Sequence, residues 1–162
     1  MNTEIEGYLK SMVQMRKTMN VSSASDLKWC CFEELVLKFG VQNEPAPRPK
    51  SFRKGTPKQC FANSAKLAMR KKNLIYVEGY GVMKNLGIPL LHAWVVERGS
   101  NKVIDVTTDN FCTYVGIKFS TSYLKSRWNA CKDCFSMFDD FENDFPLLRM
   151  EEAEILQILE RD

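Results

Sequence analysis

The sequence predicts an α+β fold, with helices at both ends of the chain and a small sheet between them. Three observations carry this reading. Apolar residues recur at helical spacing near both termini, and runs of β-branched and aromatic residues punctuated by glycine fill the middle. A proline-rich arm separates the first helices from the rest of the chain.

The elements come in this order. Thr3 with Glu6 is a capping-box pattern, and Ile5, Tyr8, Leu9, Met12, Val13 and Met19 continue at helical spacing, predicting a first helix over 3–19. Residues 21–25 break it, and a second helix is expected over 26–39, stopping at Gly40. Pro45, Pro47, Pro49 and Pro57 bar residues 42–58 from helix or central strand, because proline fixes φ and lacks the N–H that a ladder needs. Helix resumes at Cys60 and runs to about Lys72. Residues 74–82 read as a strand, and Gly87-Ile88-Pro89 as a turn. Residues 92–97 and 102–107 form a hairpin around Arg98-Gly99-Ser100-Asn101, with a further strand at 114–119. Helices are expected over 120–138 and 150–159. The chain divides into a helical segment at 1–41 packed on the core, a basic proline-rich linker at 42–58, a core at 59–120 and a second helical segment at 121–162.

Composition narrows the classes. With 44% apolar and 27% charged residues the chain matches an ordinary soluble domain, and no apolar run nears the roughly 20 residues of a membrane span. Glu4 and Glu6 stand where a signal peptide would be basic or apolar, so a cytoplasmic address is expected and the six cysteines read as thiols. A net charge of +3 is too mild to argue for nucleic acid. The charge is uneven, however. Arg48, Lys50, Arg53, Lys54 and Lys58 precede Cys60, and Lys66, Arg70, Lys71 and Lys72 come after it. Solvated surface explains such a run; so does a raised potential near a thiol, which would favour an acidic substrate.

Cys60, His92 and Asp105 form the chemical constellation. Their order along the chain suits a thiol nucleophile, a proton-moving imidazole and a carboxylate that orients it. Singly, each has a plain role: a small buried residue, a satisfied polar group, a turn cap. Geometry joins them. If Arg98 pairs with Asn101 across the turn, His92 falls opposite Thr107 and Trp94 opposite Asp105, all on one face. His92 and Asp105 are then diagonal neighbours with backbones about 7–8 Å apart. At a helix N-terminus the unpaired amides and the dipole stabilise a thiolate, and the Cys60 N–H is a natural oxyanion donor. Gln59 and Trp94 are assigned to oxyanion or substrate contact, and Asn63 to structure.

A helix-opening cysteine, a strand beginning His92-Ala93-Trp94 and a strand reading Val103-Ile104-Asp105-Val106-Thr107 resemble the papain-like superfamily in its transglutaminase-like branch. Arylamine N-acetyltransferases and NlpC-type peptidases share that core. The resemblance spans roughly residues 55–120. It implies a cysteine-bearing helix packed on an antiparallel sheet, Cys60 as nucleophile, His92 as general base and acid, Asp105 as orienter, and no cofactor or metal. The chain departs from the family in having Gln59 and Phe61 beside the cysteine, Val106 after the aspartate, and Lys54 where papain has its oxyanion glutamine. The implied activity is cysteine-dependent hydrolysis or acyl transfer at an amide or acyl bond, in the manner of a thiol protease, amidase, deamidase or transglutaminase. The expected partner is a protein, peptide or small acyl substrate, with no membrane or nucleic acid. The rival reading is a non-catalytic protein-binding module on the same core, and a third, a basic nucleic-acid binder, rests on the segment from Arg48 to Lys72.

The remaining cysteines raise one more possibility. Cys131-Lys132-Asp133-Cys134 has metal-ligand spacing, and Cys30-Cys31 would complete four thiolates. The CxxC lacks the glycine-rich knuckle of zinc ribbons, and adjacent cysteines are poor co-ligands, so no zinc is expected. Trp29 and Trp128 read as core or docking residues.

Overall fold

The computed structural model describes residues 3–19, 26–130 and 135–160. Helix α1 (Thr3–Thr18) carries Glu4 and Glu6 in its first turn and Arg16 and Lys17 in its last, which complements the helix dipole at both ends. It buries Ile5 and Leu9. Helix α2 (Phe32–Phe39) begins later than its periodicity predicts. Tertiary contacts claim the preceding backbone: the Lys28 and Trp29 amides donate to the Leu148 carbonyl, and the Trp29 indole to Met150. The Cys30 amide donates to the Glu34 carboxylate at 2.8 Å and closes the first turn.

Strand β1 (Val41–Asn43) was not anticipated. It ends before the first proline and needs ladder bonds on one side only, from β5. Next come helix α3 (Cys60–Arg70) and strands β2 (Leu74–Met83), β3 (Pro89–Glu97), β4 (Val103–Ile104) and β5 (Phe111–Phe119). The sheet order is β1-β5-β2-β3-β4, with antiparallel neighbours throughout. Val95 faces Ile104 and Val96 faces Val103, which is the register expected of the hairpin. Strand β4 is shorter than expected. After Ile104 the Asp105 side chain takes the Thr107 and Thr108 amides, so the chain turns instead of continuing the ladder.

The two outer strands meet. Glu44, just past β1, bridges Lys102 in parallel; its N–H donates to the Asn101 carbonyl and its own carbonyl accepts the Val103 N–H. This closes the sheet on itself and separates two apolar clusters. The smaller lies inside the closed sheet and contains Ile75, Val77, Trp94, Val96, Val103, Phe111 and Tyr114. The larger lies on the outer face, where Ala93, Val95, Val115 and Ile117 meet Ala65 and Ala68 of α3, with Ile5, Leu35 and Ile155 from the flanking helices. The terminal segments therefore share one core with the central one.

Beyond β5, helix α4 covers Thr121–Ala130, less than the expected 120–138. Residues 131–134 lie outside the described residues, and 135–138 are not helical. A 3-10 turn at Phe141–Asn143, helix α5 (Pro146–Arg149) and helix α6 (Glu152–Ile158) complete the chain. Helix α6 opens on a reciprocal capping box between Glu151 and Glu154, also a start later than the expected 150. Among the described residues no helix is long and apolar enough to cross a membrane.

Candidate active site

His92 sits in β3 opposite Gly79 of β2, which in turn faces Gly116 of β5. A Cβ on Gly79 would lie 2.2 Å from the Val115 carbonyl oxygen, so only glycine lets the strands approach this closely beside the histidine. The imidazole lies at the end of the inner cluster, 4.5 Å from the Phe111 ring centroid and stacked 6.2 Å from Trp94. Its Nε2 is 2.7 Å from Asp105 Oδ2. An ionised carboxylate only accepts, so Nε2 carries the proton in that bond and Nδ1 is left for another partner. Cys60, which opens α3, lies near enough to the same ring for its side chain to help raise the imidazole's pKa. Cys60, His92 and Asp105 are all buried. The structure brings together the three residues that the sequence singled out.

Asp105 is held from every side. Oδ1 accepts the Thr107 and Thr108 amides at 2.8 and 3.0 Å, and Oδ2 accepts the Tyr114 hydroxyl at 3.2 Å besides the imidazole. Burial alone would raise its pKa, but His92 and those amides outweigh burial and hold it below the usual carboxylate range. Burial pushes the Tyr114 phenol up, with the Asp105 charge adding to it, so the hydroxyl stays a donor. For His92 burial works to lower the pKa. Hydrogen bonds and charge from Asp105 and Cys60 overcome it and lift the ring to about 9.

The loop into α3 is locked to the loop after Asp105. Asn63 Nδ2 donates to the Thr56 carbonyl at 2.8 Å and to Thr107 Oγ1 at 3.0 Å, and its Oδ1 accepts the Thr56 amide at 3.3 Å. The Gly55 amide donates to the Val106 carbonyl at 2.6 Å. Between these ties Lys58 adopts φ 64, a left-handed conformation that costs a non-glycine residue about 1–3 kcal/mol. Asn63 is structural, as expected, but its place is specific: it fixes Cys60 relative to Asp105. Asn63→Ala should lower stability to urea by about 1–2 kcal/mol, since it strands polar groups on Thr56 and Thr107. An unchanged unfolding midpoint would rule out the clamp.

Gln59 is the N-cap residue of α3, exposed, with its side chain free of any capping bond. The Cys60 amide begins the first turn, where N–H groups have no acceptor within the helix. Trp94 is fully buried, donates Nε1 to Asn43 Oδ1 at 2.9 Å and stacks against the imidazole. Asn43 itself donates to Asn101 across the closure of the sheet. Neither Asn43 nor Tyr114 was found from sequence; their signal was only an inward position on a strand, which needs the register of β1 and β5 to be read.

A cavity of about 590 Å³ opens beside Asp105, lined by Arg48, Lys84, Phe111, Cys112 and Tyr114 among others. It reaches the acid side of the relay, away from the thiol. Cys30 and Cys31 lie with their sulfurs 3.5 Å apart, and burial pushes both thiols up. Cys131 and Cys134 fall outside the described residues. Among the described residues no group of histidine, cysteine, aspartate and glutamate side chains could hold a metal.

Compared with models of protein families, with curated proteins and with solved structures, the chain matches none.

Proposed function

We propose that the protein is a cysteine-dependent enzyme, a hydrolase or acyltransferase working on an amide or related acyl bond. The observation that supports this most is the buried cluster: one imidazole bonded to Asp105 through Nε2 at 2.7 Å, with the helix-opening Cys60 near enough to act on the same ring.

The reaction then runs through a thioester. The Cys60 sulfur attacks the carbonyl carbon, the carbonyl π electrons move onto oxygen, and the Cys60 amide donates to that oxyanion, with the Gln59 side chain as second donor. Collapse breaks the bond to the leaving amine, which takes the imidazolium proton. Water or an acceptor amine attacks the thioester while neutral His92 removes its proton, and the sulfur leaves. Asp105 keeps the ring oriented and balances its charge.

Alkylation by iodoacetamide tests the reading. Cys112 is the exposed thiol among the described cysteines and Cys60 is buried, so access alone would modify Cys112 first. As the nucleophile, Cys60 should instead react about tenfold faster at neutral pH. The preference should collapse in His92→Ala. Equal labelling of Cys60 and Cys112 would overturn the nucleophile and favour a binding module. Once a substrate is found, Cys60→Ala should abolish turnover.

A further inference from the structure

The proline-rich arm lies along α3 and leaves a groove of about 270 Å³ between them. Four cations line it: Arg53 from the arm, Lys66 and Arg70 from α3, and Lys71 just after the helix. Among the described residues no carboxylate lines the groove and none pairs with these four. Several cations elsewhere are paired, as in Lys54 with Asp109 at 3.1 Å or Arg149 with Asp26 and Asp144.

Two of the four are held in place without being neutralised. The Lys71 ammonium lies 5.4 Å over the Phe52 ring and the Lys66 ammonium 5.7 Å over Trp128. A cation–π contact restrains an ammonium and leaves its full charge to act on an anion. Four like charges around one groove repel each other, and an anionic occupant relieves that repulsion.

The groove points along the helix that carries the thiol. Asn63 and Leu67 line it, and at 100° per residue they fall on the same stripe of α3 as Cys60. Thr56, whose carbonyl accepts both the Gln59 amide and the Asn63 side chain, lies between the groove and the helix start. At 1.5 Å per residue, Lys66 stands about 9 Å along the axis from Cys60 and Lys71 about 16 Å. An extended peptide covers those distances in about three to five residues.

We propose that this groove binds an acidic segment of the substrate, a run of aspartate or glutamate about three to five residues from the acyl group that reaches Cys60. The proposal rests on Cys60 as the nucleophile and names its substrate class: acidic peptide or protein. A single-stranded nucleic acid fits less well. It needs free aromatic faces for its bases, and Phe52 and Trp128 both have an ammonium over the ring.

Fluorescence anisotropy on the full chain decides the matter, with two fluorescein-labelled peptides as probes: Gln-Gly-Gly followed by three glutamates, and the same peptide with three glutamines. The acidic peptide should bind about tenfold tighter than the neutral one and lose that advantage as salt rises. Lys66→Glu with Arg70→Glu should remove the advantage too. Equal affinity for the two peptides overturns the proposal on the unaltered protein, whether or not the double variant folds. A single-stranded oligonucleotide of equal charge that displaces the acidic peptide and binds more tightly also overturns it. Iodoacetamide selectivity for Cys60 is read separately on the unaltered protein. Lost peptide discrimination with intact selectivity strikes the groove alone; lost selectivity with intact discrimination strikes the nucleophile alone.

Discussion

The Hε1 resonance of the single histidine is expected to titrate with a midpoint of about 9, well above the roughly 6.5 of a free imidazole. One histidine in the chain makes the signal unambiguous. Burial works against this shift; the bonds and charges of Asp105 and Cys60 produce it. Asp105→Asn removes a charge and leaves burial in place, so its midpoint should fall to about 6.5 or below. Cys60→Ala should lower the midpoint by less, because the 2.7 Å bond to Asp105 survives. A wild-type midpoint near 6.5 would mean that the ring is not held as the geometry has it.

The same shift has a consequence for stability. The folded pKa of His92 lies above its unfolded value, so its contribution is full below about pH 6.5 and is lost as pH rises through about 9. A gap of this size corresponds to on the order of 3 kcal/mol. Asp105 has the opposite sign: its folded pKa is depressed, so its contribution is present above roughly pH 3.9 and is lost as pH falls. The pair should support the fold best between about pH 4 and 6.5. Urea unfolding across this range is expected to show stability declining from pH 6.5 to 9, and the decline should flatten in His92→Gln. For function, a ring that holds its proton at neutral pH is ready to protonate a leaving amine.

Much of this site was legible because its geometry is local. The turn at Arg98-Gly99-Ser100-Asn101 sets the register of β3 and β4, and Asp105, the residue after β4, meets His92 although the ladder itself stops at Ile104. Cys60 was legible as the first residue of an amphipathic run after Pro57. The features that escaped depend on contacts distant in sequence. The Asn43 bond to Trp94 needs the sheet to close through Glu44, and nothing local to β1 or β4 specifies that. The late start of α2 has the same cause, since the amides of Lys28 and Trp29 are claimed by a carbonyl at Leu148. Helical patterning at 135–138 was misleading because a buried acid on β2 captures that backbone.

That acid, Glu78, is where a single substitution should cost the fold most. It lies at the middle of β2 between Ala93 and Ile117, with no exposure to solvent. Its Oε1 accepts the Ser136 hydroxyl at 2.6 Å and the Phe138 amide at 2.9 Å. Its Oε2 accepts the Met137 amide at 2.8 Å and the Tyr76 hydroxyl. Glu78→Ala leaves four donors without an acceptor. Each stranded group costs about 1–3 kcal/mol. Rotating hydroxyls and entering water recover part of that, so the expected loss is on the order of 4 kcal/mol, a large share of the roughly 5–15 kcal/mol that holds a domain. Glu78→Gln keeps one oxygen and turns the other into a donor facing donors, and should cost about half as much. Burial pushes the Glu78 pKa above its ordinary value despite the four donors. Its contribution is therefore greatest at low pH and declines as pH rises through the raised pKa, a slope that Glu78→Gln should remove. The damage should spread beyond β2. Phe138 stacks on Phe32 of α2 at 5.1 Å and is fully buried, so freeing residues 136–138 loosens α2 as well. Urea unfolding of the alanine variant at an unchanged midpoint would show that these residues are held by apolar packing alone, with the carboxylate contributing nothing.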